Sequence, residues 1–219
     1  MKFACFYCGS VYDERITWCS VCLEENSLLH LPESEERKLF VRPGREGLIS
    51  SNELRKKNME GRSIKGYEEL GKLPKNFRML VHGLPGSGKS TFCMQIANNY
   101  NGKSLYFSCE EGTGEDFIKK IVDWEIHDLM ISDAATSMEI ESDYKRYSPQ
   151  LVVVDSISVI DKIPVFDCAC IYINHSTKDG LYKGDSSIAH SVQIVVKVDD
   201  GKAVVEKNRF NKKCTLEIF

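Results

Sequence analysis

The run Gly83-Leu84-Pro85-Gly86-Ser87-Gly88-Lys89-Ser90-Thr91 sets three glycines ahead of a lysine and two hydroxyls. Glycines at this spacing let successive backbone N–H groups turn inward around an oxyanion, and a helix opening at the end of the run adds favourable partial charge. In the pattern G-x-x-x-x-G-K-[ST], Lys89 would hold the β- and γ-phosphates of a nucleotide, and the Ser90 hydroxyl would ligate Mg²⁺. A Gly-rich turn by itself can be accidental. Here the short apolar run 78–82 reads as a strand leading in and 90–100 as a helix leading out, which is the context the chemistry requires. Leu151-Val152-Val153-Val154-Asp155 supplies a second half, an apolar strand ending in an acid that can reach the same cation directly or through water.

Hydrolysis of a bound triphosphate needs a further group that orients water. Glu110 and Glu111 follow the strand-like stretch Ser104-Leu105-Tyr106-Phe107-Ser108, at the edge where open α/β sheets bind ligands. Glu110 is the first choice as base and Glu111 the second; one of them is then an ordinary solvated carboxylate. His175 follows the strand Ile171-Tyr172-Ile173-Asn174 at the same edge. A polar residue there can sense the γ-phosphate and pass its presence to the loop that follows; its bland alternative is a packed or exposed histidine.

A separate chemistry sits at the amino terminus. Cys5-x-x-Cys8 and Cys19-x-x-Cys22 are two tight turns, each offering a pair of sulfurs suited to tetrahedral Zn²⁺. Metal binding would supply the folding energy that so small a segment lacks. Two redox dithiols or an iron–sulfur site are the alternatives. Cys93, Cys109, Cys168, Cys170 and Cys214 read as small core residues.

These groups must be held by elements whose order the hydrophobic pattern gives. Strands are expected over 78–82, 104–108, 128–131, 151–154 and 169–173. Helices are expected over 90–100, over 115–124 with Phe117, Ile118, Ile121 and Val122 on one face, and after the 128–131 strand to about 147. The runs 193–198 and 203–207 flank Asp199-Asp200-Gly201, a hairpin signal, and 215–219 would close a sheet edge. Alternation followed by a terminal hairpin predicts an α/β fold with a mostly parallel central sheet. The expected organisation is a zinc-ribbon module over 1–30, a charged linker over 31–61 and an ATPase domain over 62–219.

The 219-residue chain carries a formal charge of −3, unevenly spread. Residues 37–78 hold 12 basic and 5 acidic side chains, and 105–167 hold 5 basic and 14 acidic. The first segment either faces phosphates or is simply solvated, and the second repels them. No stretch approaches the length of a membrane span and no secretory leader is visible, so an intracellular, cytoplasmic protein that meets no membrane is expected.

Taken in order, these segments resemble the bacterial RadA (Sms) family of RecA-like proteins. The resemblance rests on the four-cysteine module, GLPGSGKST at 83–91, SLYFSCEEG at 104–112, LVVVDSIS at 151–158, NHSTKDG at 174–180 and KNRF at 207–210. It implies a RecA-like P-loop core, ATP hydrolysis, single-stranded DNA binding and a hexameric ring promoting branch migration in DNA recombination and repair. It also gives Lys207 and Arg209 a role, since such a pair in this family and in DnaB-like helicases reaches the γ-phosphate of a neighbouring protomer. On a strand, i and i+2 project together. The loop 176–187, with Lys178 and Lys183, corresponds to a DNA-contacting loop and could grip a nucleic-acid backbone.

Three departures are visible. The Lon-protease-like carboxyl-terminal domain is expected to be absent, and Asn211 replaces a usual glycine. Only 13 residues separate Asp155 from Ala169, close to the minimum for a crossover between parallel strands. The leading expectation is a RadA-like motor using ATP, Mg²⁺ and Zn²⁺. The alternative is a non-motor adaptor or loader, switched by ATP, acting through the zinc module on a replication or recombination protein.

Overall fold

The computed structural model describes residues 2–5, 11–12, 28–31, 51–52, 61–176 and 187–218. The chain divides into two compact units, Met1–Asn58 and Met59–Phe219. In the first, β1 (Lys2–Cys5) pairs antiparallel with both β2 (Val11–Tyr12) and β3 (Leu28–Leu31). Cys5 ends β1. Cys8, Cys19 and Cys22 lie outside the described residues, as does most of the expected linker, so the zinc site has no described geometry. Among the described residues no group of three metal-binding side chains is present.

The second unit opens with a small antiparallel pair, β4 (Gly61–Arg62) and β5 (Leu73–Pro74). Its body then alternates. The order is β6 (Arg78–Gly83), α1 (Lys89–Asn99), β7 (Ser104–Ser108), α2 (Glu115–Asp123), β8 (Leu129–Ser132), α3 (Ser137–Tyr147) and β9 (Leu151–Asp155). It continues with β10 (Ala169–His175), a short α4 (Ser187–Ser191), β11 (Ile194–Asp199), β12 (Lys202–Asn208) and β13 (Thr215–Glu217). The eight strands β6 to β13 form one sheet in the order β13-β12-β11-β6-β10-β9-β7-β8. All neighbours from β11 to β8 are parallel, and β12 and β13 add antiparallel at one edge. The α/β expectation, with its mostly parallel sheet and terminal hairpin, is met. β11 and β12 are joined at Asp200-Gly201, as the turn residues predict.

Strand side chains alternate between two apolar layers. Met79, Val81, Tyr106, Val153, Ile171 and Val196 face α1 and α2, while Leu80, Phe107, Val152, Val154, Tyr172 and Val195 face α3 and the crossover. Both faces are covered, so β9 and β10 are buried runs rather than alternating ones. The helix expected over 115–124 forms, but its apolar stripe is narrower than anticipated. Phe117, Ile121 and Trp124 pack on the sheet, whereas Ile118 and Val122 are 55% and 69% exposed. The spacing i, i+4, i+7 follows the buried face, and Ile118 and Val122 fall beside it.

Residues 156–168 cross from β9 to its parallel neighbour β10 without a helix. The segment is tied at its middle and near its end instead. The one Ser137 hydroxyl proton is shared between Asp161 Oδ1 at 2.5 Å and the Lys162 carbonyl at 2.7 Å. Toward β10 the Arg78 guanidinium donates to the Phe166 carbonyl at 2.5 Å and to that of Cys168. The Phe166 side chain is itself fully buried.

The sheet also fixes where the phosphate loop begins. A Cβ on Gly83 would lie 2.2 Å from the Val198 carbonyl oxygen of β11. Gly83→Ala should therefore force β6 and β11 apart and cost ~2–4 kcal/mol in chemical denaturation. An unchanged midpoint would show that the two strands are not held at this separation.

Candidate functional site

The carboxyl ends of β6, β7, β9 and β10 surround a cleft of about 470 Å³. Its walls carry Pro85, Gly86, Gly88, Lys89, Ser90 and Thr91, together with Glu110, Glu111, Asp155 and His175. These are the loop and carboxyl-edge residues singled out from the sequence. Gly83 sits at the end of β6 beneath them, and Leu84 contributes a carbonyl. Gly86 and Gly88 have φ of 78° and 100°, a left-handed backbone that suits glycine and curls the loop. Gly88 caps α1, so the helix N-terminus points into the cleft.

Within the loop, Lys89 is 5% exposed and donates to the Leu84 carbonyl at 2.8 Å. Burial lowers its pKa, against the pull of Asp155. The Ser87 hydroxyl oxygen is buried with no partner among the described residues. A lysine folded back on its own loop and an orphaned buried hydroxyl are groups that gain when an anion enters.

Asp155 ends β9 at the floor. Its Oδ2 accepts from the Ser90 hydroxyl at 2.6 Å and from the Tyr106 hydroxyl at 2.5 Å. Burial raises its pKa, and these two hydrogen bonds only partly oppose that. Hard oxygen donors from a carboxylate and a serine, in a pocket penalising bare negative charge, fit Mg²⁺. Tyr106 was not anticipated. Strand alternation on β7 puts it on the α1 face beneath the acid, but nothing in its type marks it.

The two glutamates part company. Glu110 Oε2 lies 2.8 Å from His175 Nε2. Burial pushes the Glu110 pKa up, but bonding to His175 and Ser156 outweighs this and holds it below the usual carboxylate value. Glu111 instead takes both its oxygens to Lys120, at 2.5 and 2.7 Å. His175 Nδ1 is buried without a partner among the described residues, so Nε2–H donating to Glu110 is the tautomer the contacts favour. Lys120 and Trp124 also line the cleft and were missed; both lie on or just past α2, whose buried face was assigned too broadly from the apolar pattern.

Lys207 and Arg209 do not line this cleft. The expectation that both project from one strand needs correction, because β12 ends at Asn208 and Arg209 lies past it. Just before the pair, Glu206 forms a bulge, an extra residue opposite Val195 and Val196. Beyond that bulge the Lys207 ammonium donates to the carbonyls of Val192, Ala189 and His190 at 2.6, 2.8 and 3.4 Å. It thus caps the end of α4. Arg209 follows, exposed, and its charge adds to burial in lowering the Lys207 pKa. Lys178 and Lys183 lie outside the described residues.

The chain is similar in sequence to bacterial DNA repair proteins named RadA. It is 29% identical to that of Mycolicibacterium smegmatis over 155 residues, 57% of this chain and 33% of that protein. Against the RadA of Treponema pallidum it is 24% identical over 256 aligned positions, 99% of this chain and 56% of that protein. The chain thus spans about half the length of that relative, or less. No family model matches. Among solved structures, an isolated ATPase domain superposes with a TM-score of 0.54 at 13% identity, covering 75% of this chain and 90% of that one. The fold is accordingly that of a RadA/RecA-like P-loop domain.

Because burial raises the Asp155 pKa, the apo protein carries a penalty for ionising it. That penalty is absent at pH below the ordinary carboxylate value and grows as pH rises through and above it. Asp155→Asn should therefore raise the apo melting temperature by a few degrees at neutral pH, with the gain vanishing in acid, while removing the response to Mg·ATP. Melting curves from about pH 4 to 8 check this; a gain independent of pH would assign it to packing.

Proposed function

We propose that this chain is a RadA-like ATPase of DNA repair or recombination, hydrolysing ATP between protomers of a ring while bound to single-stranded DNA. The observation that carries the reading is the convergence of Lys89, Ser90, Asp155 and the Glu110–His175 pair on one cleft. The RadA similarity over the length of the chain supplies the DNA context.

The residues divide the work. Lys89 would leave the Leu84 carbonyl for the β- and γ-phosphates, joined by loop N–H groups and the α1 terminus. Ser90 and Asp155 would hold Mg²⁺, which when bound supplies charge neutralisation at the phosphates. Glu110, ionised at neutral pH, would orient the attacking water and accept its proton. His175 holds that carboxylate and precedes the segment expected to contact DNA, so occupancy of the γ-phosphate position is felt there first. Arg209, with Lys207, would serve the cleft of the adjacent protomer, where a cation stabilises charge in the transition state. Lys178 and Lys183 would meet the DNA backbone, and Cys5, Cys8, Cys19 and Cys22 would bind Zn²⁺ in a docking module.

The helix-free crossover 156–168 favours a second reading, an ATP-switched adaptor or loader acting on a partner protein. ATPase rates measured across protein concentration, with and without single-stranded DNA, separate the two. The motor is stimulated by DNA and depends steeply on concentration; the switch is slow and indifferent to both.

Three variants test the assignments. Glu110→Gln should lower turnover by ~10²-fold or more with Mg·ATP affinity kept, whereas Glu111→Gln should change turnover by less than about fivefold. Arg209→Ala should lower turnover and spare nucleotide affinity in a titration. An equal loss of affinity and turnover would remove Arg209 from a role in trans.

A further inference from the structure

His82 is the penultimate residue of β6, directly before Gly83 of the phosphate loop, and it is 2% exposed. Its Nδ1 lies 2.9 Å from the Ser176 hydroxyl and its Nε2 3.0 Å from Glu206 Oε2. Ser176 directly follows His175, and its backbone N–H donates to the Gly83 carbonyl at 3.0 Å. Glu206 is the bulge residue of β12, adjoining Lys207. Because β11 lies between β6 and β12, the imidazole reaches across Lys197, its register partner, to meet that carboxylate.

A continuous line results, in which each step is a hydrogen bond or a peptide neighbour. It runs from Glu110 through His175, Ser176, His82 and Glu206 to Lys207. Burial lowers the His82 pKa, opposed by Glu206 and reinforced by Lys197 and Lys89. A neutral ring donates Nε2–H to the carboxylate and accepts the Ser176 proton at Nδ1, satisfying both ends. Ser, His and Glu also form acyl-transfer sites, but Ser176 is 8% exposed and is not part of the cleft wall. A buried serine whose backbone N–H is held by Gly83 and whose hydroxyl is held by the ring suits a link.

We infer that His82 is a positioning residue that fixes the β12 end bearing Lys207 and Arg209 relative to the γ-phosphate side of the cleft, through Ser176 on one side and Glu206 on the other. The inference rests on the ATPase reading above. A histidine is suited to the task because both its nitrogens sit at fixed angles on a rigid ring, so two strands separated by a third are held in register. The β12 bulge is the other half of the device, since it turns Glu206 toward His82 and Lys207 toward α4 at adjacent positions.

The test is a double-mutant cycle on steady-state ATP hydrolysis by the full chain. Glu206→Ala and His82→Ala should each lower kcat by roughly tenfold with KM little changed, while Glu206→Gln, which keeps an acceptor for Nε2–H, stays within about twofold of wild type. In an Arg209→Ala background the loss from Glu206→Ala should disappear, because the cation it positions is gone. Glu206 is partly exposed, so its variants remain informative even if His82→Ala folds poorly. Additive losses, or a Glu206→Gln defect equal to that of Glu206→Ala, overturn the inference and leave the ATPase reading intact. A wild-type chain without ATP turnover overturns both.

Discussion

The central constraint is electrostatic. Asp155 and Lys89 carry opposite charges into a poorly solvated floor at the carboxyl edge of a parallel sheet, and burial disfavours the charged form of each. Neither is fully compensated by the other: the lysine rests on a carbonyl of its own loop, and the acid rests on two hydroxyls. Such an arrangement is poor for stability alone and well suited to a ligand that brings both signs, a polyphosphate with its cation. The surrounding architecture preserves the tension. Tyr106 and Ser90 fix the carboxylate, Gly83 lets β11 close against the loop, and both sheet faces are covered so that no strand can relax outward.

Around that floor, the neighbouring carboxylates are kept from competing for the same role. Lys120 takes both oxygens of Glu111, and His175 takes Glu110. Two adjacent acids at the end of one strand therefore acquire different environments. The first is lowered in pKa and joined to the strand that leads into residues 177–186, while the second is paired off at the rim. In the reaction proposed above, Glu110 would be left for proton transfer while its neighbour serves structure.

Much of this was legible in the sequence, and for physical reasons. Phosphate binding demands backbone N–H groups, so it leaves glycines and a lysine at fixed spacing whatever the rest of the chain does; Gly83 to Ser90 could be read directly. Buried parallel strands need continuous apolar runs, which made β9 and β10 visible, and Asp200-Gly201 marked the hairpin. What could not be read depended on distance in the chain. His82 meets Glu206 across 124 residues, and Tyr106 meets Asp155 across 49. The bulge at Glu206 was equally hidden, because a bulge leaves no mark in residue type and reverses the face of every side chain beyond it. Strand alternation misdescribed the Lys207–Arg209 pair for a different reason, since β12 ends at Asn208 and Arg209 lies past it. The stripe of α2 was misjudged for a related reason: Ile118 and Val122 are as apolar as Phe117 and Ile121, and only packing decides which pair is covered.

The composition of the cleft bears on how it could act. Its wall contains two lysines and no arginine among the described residues. Lys89 is placed for the resting phosphates, and Lys120 is occupied by Glu111. Phosphoryl transfer spreads new negative charge over the γ-phosphate oxygens, and a cleft without a spare cation stabilises that charge weakly. Arg209 is exposed at the end of β12, two strands away from β6 across β11, on a segment anchored by the Lys207 cap and the Asn208 side chain. It is exposed and does not line its own cleft. In the ring proposed above, each neighbouring copy would present its cleft to that edge, so that every contact completes one site. Hydrolysis would then report on assembly, and the line from Glu110 to Lys207 would connect each cleft to the one it serves.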